Sequence, residues 1–203
     1  MSPEARLYPR RQDVSSGVPR RALLAVPLLW GCSRGALAST GRAAIPPEVA
    51  QLWPTARLHG QGHLRFMGLS VYDIRLWSSA ASLSAMTWIE RPLALEIQYA
   101  RALSGKRIAE RSLQEMQRGG ALSDDLAQRW LQAMGPWFPD VKAGDRITGV
   151  YSPEEGARFF HNARPTGYSG DKSFAQRFFG IWLSPWTSQP ELRAALLPPS
   201  GST

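Results

Sequence analysis

One cysteine, Cys32, and three histidines are all that this 203-residue chain offers to thiol or soft-metal chemistry. A lone cysteine excludes a disulfide within the chain and a Cys-based zinc site, so stability has to come from a core. His59 and His63 are four residues apart, which would align them on a helix, but Gly60 and Gly62 lie between and beside them and argue against one. His161 is remote, no third ligand is evident, and no metal is expected. Gly-x-Ser-x-Gly, a P-loop, GxGxxG and HExxH are all absent, and no cofactor is expected. The adjacent acids Asp124-Asp125 and Glu154-Glu155 suit a helix start and a turn, whereas glycoside chemistry needs two carboxyls flanking one bond. Beyond residue 38 no dense Lys/Arg run and no nucleic-acid motif occurs, so nucleic acid is not an expected partner despite a formal charge of +8.

What the chain has in abundance is aromatic surface: eight Trp and seven Phe among 43% hydrophobic residues. Large aromatics fill cores, and they also line apolar pockets. Half of the net charge, +4, falls in residues 1–38, where six arginines face only Glu4 and Asp13. There RRALLAVPLLWGCSRGALA (20–38) sets two arginines before the apolar run Ala22–Trp30 and ends in Ala36-Leu37-Ala38. This is the layout of a bacterial export signal, with an apolar run about half as long as a membrane-spanning helix requires. The expected address is periplasmic or secreted. Leu29-Trp30-Gly31-Cys32 partly resembles a lipobox, so membrane attachment is expected only through a lipid on Cys32.

Residues 39–51, rich in proline with their neighbour Pro54, read as a lead-in to a domain over 52–197, and 198–203 as a disordered tail. Arg57–Gly60 and His63–Phe66 read as two short strands, with Leu69–Trp77 a third after a bulge at Met67-Gly68. In Leu93–Tyr99 the residues Leu93, Leu95, Ile97 and Tyr99 alternate with Ala94, Glu96 and Gln98, which predicts a half-buried strand. Helices are predicted from Ser104-Gly105 to Gly119-Gly120, from an N-cap at Ser123 to Pro136, from Asp171 through Trp182, and over Glu191–Leu197. Arg146–Tyr151 and Ala157–His161 read as a hairpin. Strands and helices segregate rather than alternate, so the expected class is α+β, a large antiparallel sheet with helices on one face. Arginines near the aromatic sheet (Arg57, Arg65, Arg75, Arg101, Arg107) could hold a carboxylate or phenolate at the mouth of an apolar cleft, with hydroxyls from Tyr72 and Tyr99.

Three segments carry a resemblance. GHLRFMGLSVYDIRL (62–76) is similar to a strand pair of the plant chalcone isomerases, and EIQYARALSGKRIAER (96–111) to their strand, Gly-Lys pair and helix entry. FPDVKAGDRITGVYSPEEG and FAQRFFGIWL, within 138–183, occupy the places of their sheet hairpin and pocket-covering helix. In order and spacing the chain resembles the chalcone isomerase-like family, most closely its bacterial exported branch. The resemblance implies an open-faced β-sandwich with a cleft between sheet and helices. Plant members close a flavanone ring there, and other relatives bind fatty acids without catalysis. It also places the plant enzymes' catalytic arginine at Thr55, two residues from Arg57, their threonine at Met67, their tyrosine at Ile108 and their asparagine at Glu115. None of these matches, and loss of groups that stabilise developing charge costs orders of magnitude in rate. The expected protein is thus a monomeric, non-catalytic binder of a small apolar or amphipathic ligand such as a fatty acid. Arg57, Arg65, Met67, Tyr72, Tyr99 and Ile108 are its candidate contacts, and Arg57 holds the anionic end. The alternative is an isomerase or intramolecular lyase acting on an enone.

Overall fold

Six strands follow one another across a single antiparallel sheet in chain order: β1 (Arg57–Phe66), β2 (Leu69–Ser78), β3 (Leu93–Tyr99), β4 (Arg146–Ser152), β5 (Gly156–His161) and β6 (Arg164–Ser169). Five helices accompany them: α1 (Pro47–Leu52), α2 (Gly105–Gln117), α3 (Asp124–Trp137), α4 (Lys172–Leu183) and α5 (Pro190–Leu196). The structure, a computed structural model, describes residues 43–198 apart from 82. The stretch read as an export signal, with Cys32, and the tail from 199 onward lie outside the described residues.

Register explains the main core. Tyr72 stands opposite Tyr99, Ile74 opposite Ile97 and Leu76 opposite Leu95; Ile97 in turn faces Ile147, and Gly149 faces Phe159. Because side chains alternate across a strand, these residues share one face. They meet the aromatic stripe of α4, where Phe174, Phe178, Phe179 and Leu183 are buried with Met116 of α2 and Met134 of α3. The helix starts follow local chemistry. The Asp171 carboxylate accepts the Ser173 and Phe174 N–H groups at 2.9 and 3.1 Å, and Ser123 Oγ accepts that of Leu126 at 3.4 Å.

The opposite face is also covered in part. Val49 of α1 packs with Ala56, Trp77, Ala94 and Val150 in a second buried cluster. Beneath it, Glu48 is 2% exposed. Its carboxylate accepts the Thr148 hydroxyl at 2.6 Å and the Arg146 guanidinium at 3.1–3.3 Å. Glu96 accepts Trp77 Nε1–H at 2.9 Å and meets Arg75 at 3.4 Å and Arg146 at 3.7 Å. β3 is therefore buried on both faces rather than half-buried.

Several local readings change. The prolines before residue 54 do not exclude a helix, because Pro47 occupies the first turn of α1, where its missing N–H has no intrahelical partner to lose. The two short strands at 57–66 are one strand with a register shift between Leu58 and Gly60. Met67-Gly68 is the two-residue turn of the β1–β2 hairpin, not a bulge; both residues have positive φ, 49° and 79°. Pro136 lies within the last turn of α3 rather than stopping it; so close to the end it removes one intrahelical bond, to the Gln132 carbonyl, and the Phe138 N–H still bonds the Met134 carbonyl. β6 was not anticipated: Pro165 and Gly167 hide it, and an edge strand tolerates both.

Candidate functional site

Between the sheet and helices α2 and α4 lies a cavity of about 400 Å³, within the usual range for small-molecule sites. Its walls are apolar: Leu64, Phe66 and Val71 from the first hairpin, Ile97 and Ile147 from the central strands, Leu103, Ile108 and Phe138, and Phe178, Ile181 and Trp182 from α4. The strand parity that buries Ile97 and Tyr99 aims them here. α2, which starts where Asp140 Oδ1 accepts the Gly105 N–H at 2.8 Å, closes the cavity from the other side.

Polar groups are few and placed at two depths. Inside, the rings of Tyr72 and Tyr99 meet edge to face with centroids 6.1 Å apart. Trp182 Nε1–H donates to the Tyr72 hydroxyl oxygen at 2.9 Å, which leaves the Tyr72 O–H free to donate. Among the described residues, the Tyr99 hydroxyl has no hydrogen-bond partner. Burial pushes the Tyr72 phenol up to about 12; the Trp182 bond opposes this, and the charges of Glu115 and Arg111 act in opposite directions. Burial, reinforced by Tyr72, also raises Tyr99. Both phenols are donors at neutral pH and neither is a base.

At the mouth stand Arg65, Arg101, Arg107 and Arg111, all exposed. Arg111 is bound to Glu115, one turn on along α2. Arg65 Nη2 donates to the Gly68 carbonyl at 3.0 Å. Arg65, Arg101 and Arg107 form no ion pair among the described residues. Glu115 lines the cavity while only 6% exposed. Its Oε2 accepts no hydrogen bond and meets Arg118 Nε only at 3.6 Å.

Of the residues singled out in the sequence, Arg65, Tyr72, Tyr99 and Ile108 line this cavity. Arg57 and Met67 do not. Arg57 opens β1 opposite Ser78, at the strand end away from the cavity, roughly 25 Å along the strand from Arg65. Met67 is at the apex of the first hairpin, 86% exposed. Arg101 and Arg107, expected near the aromatic sheet, also line the cavity; Arg111 and Glu115 were not foreseen there. The signal for Arg111 and Glu115 was their helical spacing from Ile108, three and seven residues on, which puts all three toward one face. His59 and His63 lie on β1 and His161 on β5, two different strands.

An antiparallel meander with α2, α3, α4 and α5 laid over one face, enclosing an apolar cleft with a basic mouth, defines an open-faced β-sandwich. The family model described as chalcone isomerase-like matches residues 42–198, and the chain belongs to that family. An uncharacterized protein of Haemophilus influenzae is 32% identical over 127 residues, 63% of this chain and 60% of the relative, so the chain spans less than two thirds of that protein. In fold it is similar to the crystal structure of a fatty-acid binding protein of Arabidopsis thaliana. The TM-score is 0.54, with 13% identity over 70% of this chain and 86% of the other.

Proposed function

We propose that the cavity binds a small amphipathic carboxylate, such as a fatty acid, without transforming it. The carrying observation is the combination of an apolar interior with arginines at the mouth that have no ion pair among the described residues. An alkyl or aryl body would displace water from the walls, and Arg101 and Arg107 would hold the carboxylate by charge-assisted hydrogen bonds. The fatty-acid binding protein of similar fold supports this ligand class. Native mass spectrometry of the purified protein, followed by titration with palmitate, tests the reading. Arg101→Ala and Arg107→Ala are each expected to weaken palmitate binding about tenfold, as loss of one hydrogen bond to a charged group does. Arg57→Ala should leave binding unchanged. A protein that carries no lipid and shows no affinity for palmitate would sink the proposal.

A second reading rests on the two phenol donors inside the apolar cleft, which could stabilise an enolate formed from an enone. Turnover of a chalcone, lost in Tyr72→Phe, would put an isomerase or lyase in place of a binder. Export of the chain is likewise a proposal, supported by the layout of residues 20–38. Sequencing the N-terminus of the protein recovered from cell fractions tests it: an uncleaved chain in the cytoplasm would overturn it.

A further inference from the structure

The β1–β2 hairpin ends in a feature that folding alone does not explain. Phe66, Met67 and Leu69 are 68%, 86% and 57% exposed, three large apolar side chains within four residues. Phe66 stands directly opposite Leu69 across the turn, with Met67 at the apex. Met67 has φ of 49°, a left-handed conformation that costs an L residue with an ordinary side chain about 1 kcal/mol. Two-residue turns of this kind favour Asn or Asp at that position, followed by Gly. The β5–β6 turn meets the first half of this preference with Asn162, whose φ is 47°, and departs from the second with Ala163, whose φ is 70°. At the first hairpin the glycine is present but the polar residue is replaced by an exposed thioether. Neither the core nor the turn gains from it.

Basic groups lie in the turn and along the cavity mouth beside the hairpin. Arg65 is bonded to the Gly68 carbonyl within the turn. The Ala100 N–H donates to the Val71 carbonyl at 2.9 Å, which fixes Arg101 beside the base of the hairpin. Arg107, on α2, lines the same cavity as Arg65 and Phe66. The acids of α2 are engaged: Glu110 by Lys106, Glu115 by Arg111 and Arg118.

We propose that the β1–β2 hairpin tip docks on an anionic phospholipid bilayer, with Phe66, Met67 and Leu69 entering the boundary between headgroups and acyl chains while Arg65, joined by Arg101 and Arg107 when no ligand carboxylate engages them, meets the phosphates. Apolar side chains flanked by guanidinium groups match that interface in both polarity and charge. A second copy of the chain is a poorer occupant. A two-fold contact brings the same patch onto itself and sets the arginines against their own kind. Docking in this pose would turn the cavity mouth, which Arg65 and Phe66 also line, toward the membrane, a source or acceptor for an amphipathic ligand.

The test uses the full chain and sonicated vesicles of phosphatidylglycerol and phosphatidylcholine, with pure phosphatidylcholine for comparison. It needs no bound ligand, so its outcome is separate from that of the palmitate titration. Residues 1–42 are basic and apolar enough to meet a membrane themselves, so the readout has to come from the tip. In Cys32→Ser chains, an environment-sensitive dye is attached at Met67→Cys or, as the control, at Asn162→Cys. A blue shift at 67 with phosphatidylglycerol vesicles, weaker in high salt and absent at 162, is the expected result. Met67→Asn, which suits the turn and keeps the melting temperature at or above that of the parent, should lower vesicle affinity about tenfold, in line with one large apolar side chain kept out of the bilayer. No shift at 67, or an affinity unmoved by Met67→Asn, would overturn the proposal. So would a parent chain that sediments as a dimer and becomes a monomer on the same substitution, since the tip would then belong to a second copy.

Discussion

Tyr72 has two tasks at once: it accepts the Trp182 indole N–H and lines the cavity. Tyr72→Phe removes the acceptor and leaves a buried donor, so we expect a stability loss of about 1–3 kcal/mol by urea denaturation. The alkaline limb of stability should report the same residue. An unfolded tyrosine ionises near its ordinary value of 10, whereas burial holds folded Tyr72 protonated up to about 12. The folded state therefore binds more protons between these values. The resulting stability is fully present below pH 10 and lost as pH rises toward about 12. Denaturation midpoints across this window should fall, and less steeply in Tyr72→Phe. An equal slope in both proteins would show that Tyr72 is not the group responsible. Glu115 illustrates the reverse problem. Its position on α2 was visible, but that its Oε2 is left without a hydrogen bond depends on where Arg111 and Arg118 reach.

Among the elements, α5 and α1 depend on partners far along the chain. α5 lies so close to β1 that a Cβ on Gly60 would stand 2.3 Å from the Leu196 carbonyl oxygen, and one on Gly62 would stand 2.4 Å from Leu192 Cδ1. The two glycines beside His59 and His63 are a seat for a helix. Gly60→Ala must push α5 outward and should cost about 1–3 kcal/mol, measurable as a lower melting temperature. On the other face, α1 is pinned by Glu48, whose partners Arg146 and Thr148 come from β4. Glu48→Ala leaves Arg146 with less of its charge answered and should cost about 2–3 kcal/mol. If that variant melts like the parent, the ion network is not what holds α1. Strong periodicity made α2, α3 and α4 legible; the cap expected at Ser123 is there, and Asp171, expected as the start of α4, is its N-cap. α1 and β6 were hidden because each is short and contains proline, and each is held by tertiary contacts rather than by local propensity.

For the whole molecule, a ligand that binds only the folded state adds stability in proportion to the logarithm of its concentration. Palmitate at about a hundred times its dissociation constant should add about 2.7 kcal/mol and raise the melting temperature, and Arg101→Ala should shrink that increment. The linear order of motifs, with the alternation in Leu93–Tyr99 and the aromatic stripe of α4, was sufficient to establish the α+β class and the family, because periodicity and capping are properties of neighbouring residues. Tyr72, Tyr99, Ile108 and Arg65 were within reach for the same reason: each sits on an element whose inward face can be counted. Arg57 and Met67 could not be placed that way. A strand carries its ends tens of ångströms apart, and a bulge and a turn look alike until the pairing register is known. Which arginines share a mouth, and which acid already occupies one of them, are facts of distance between residues remote in sequence, and only the folded chain decides them.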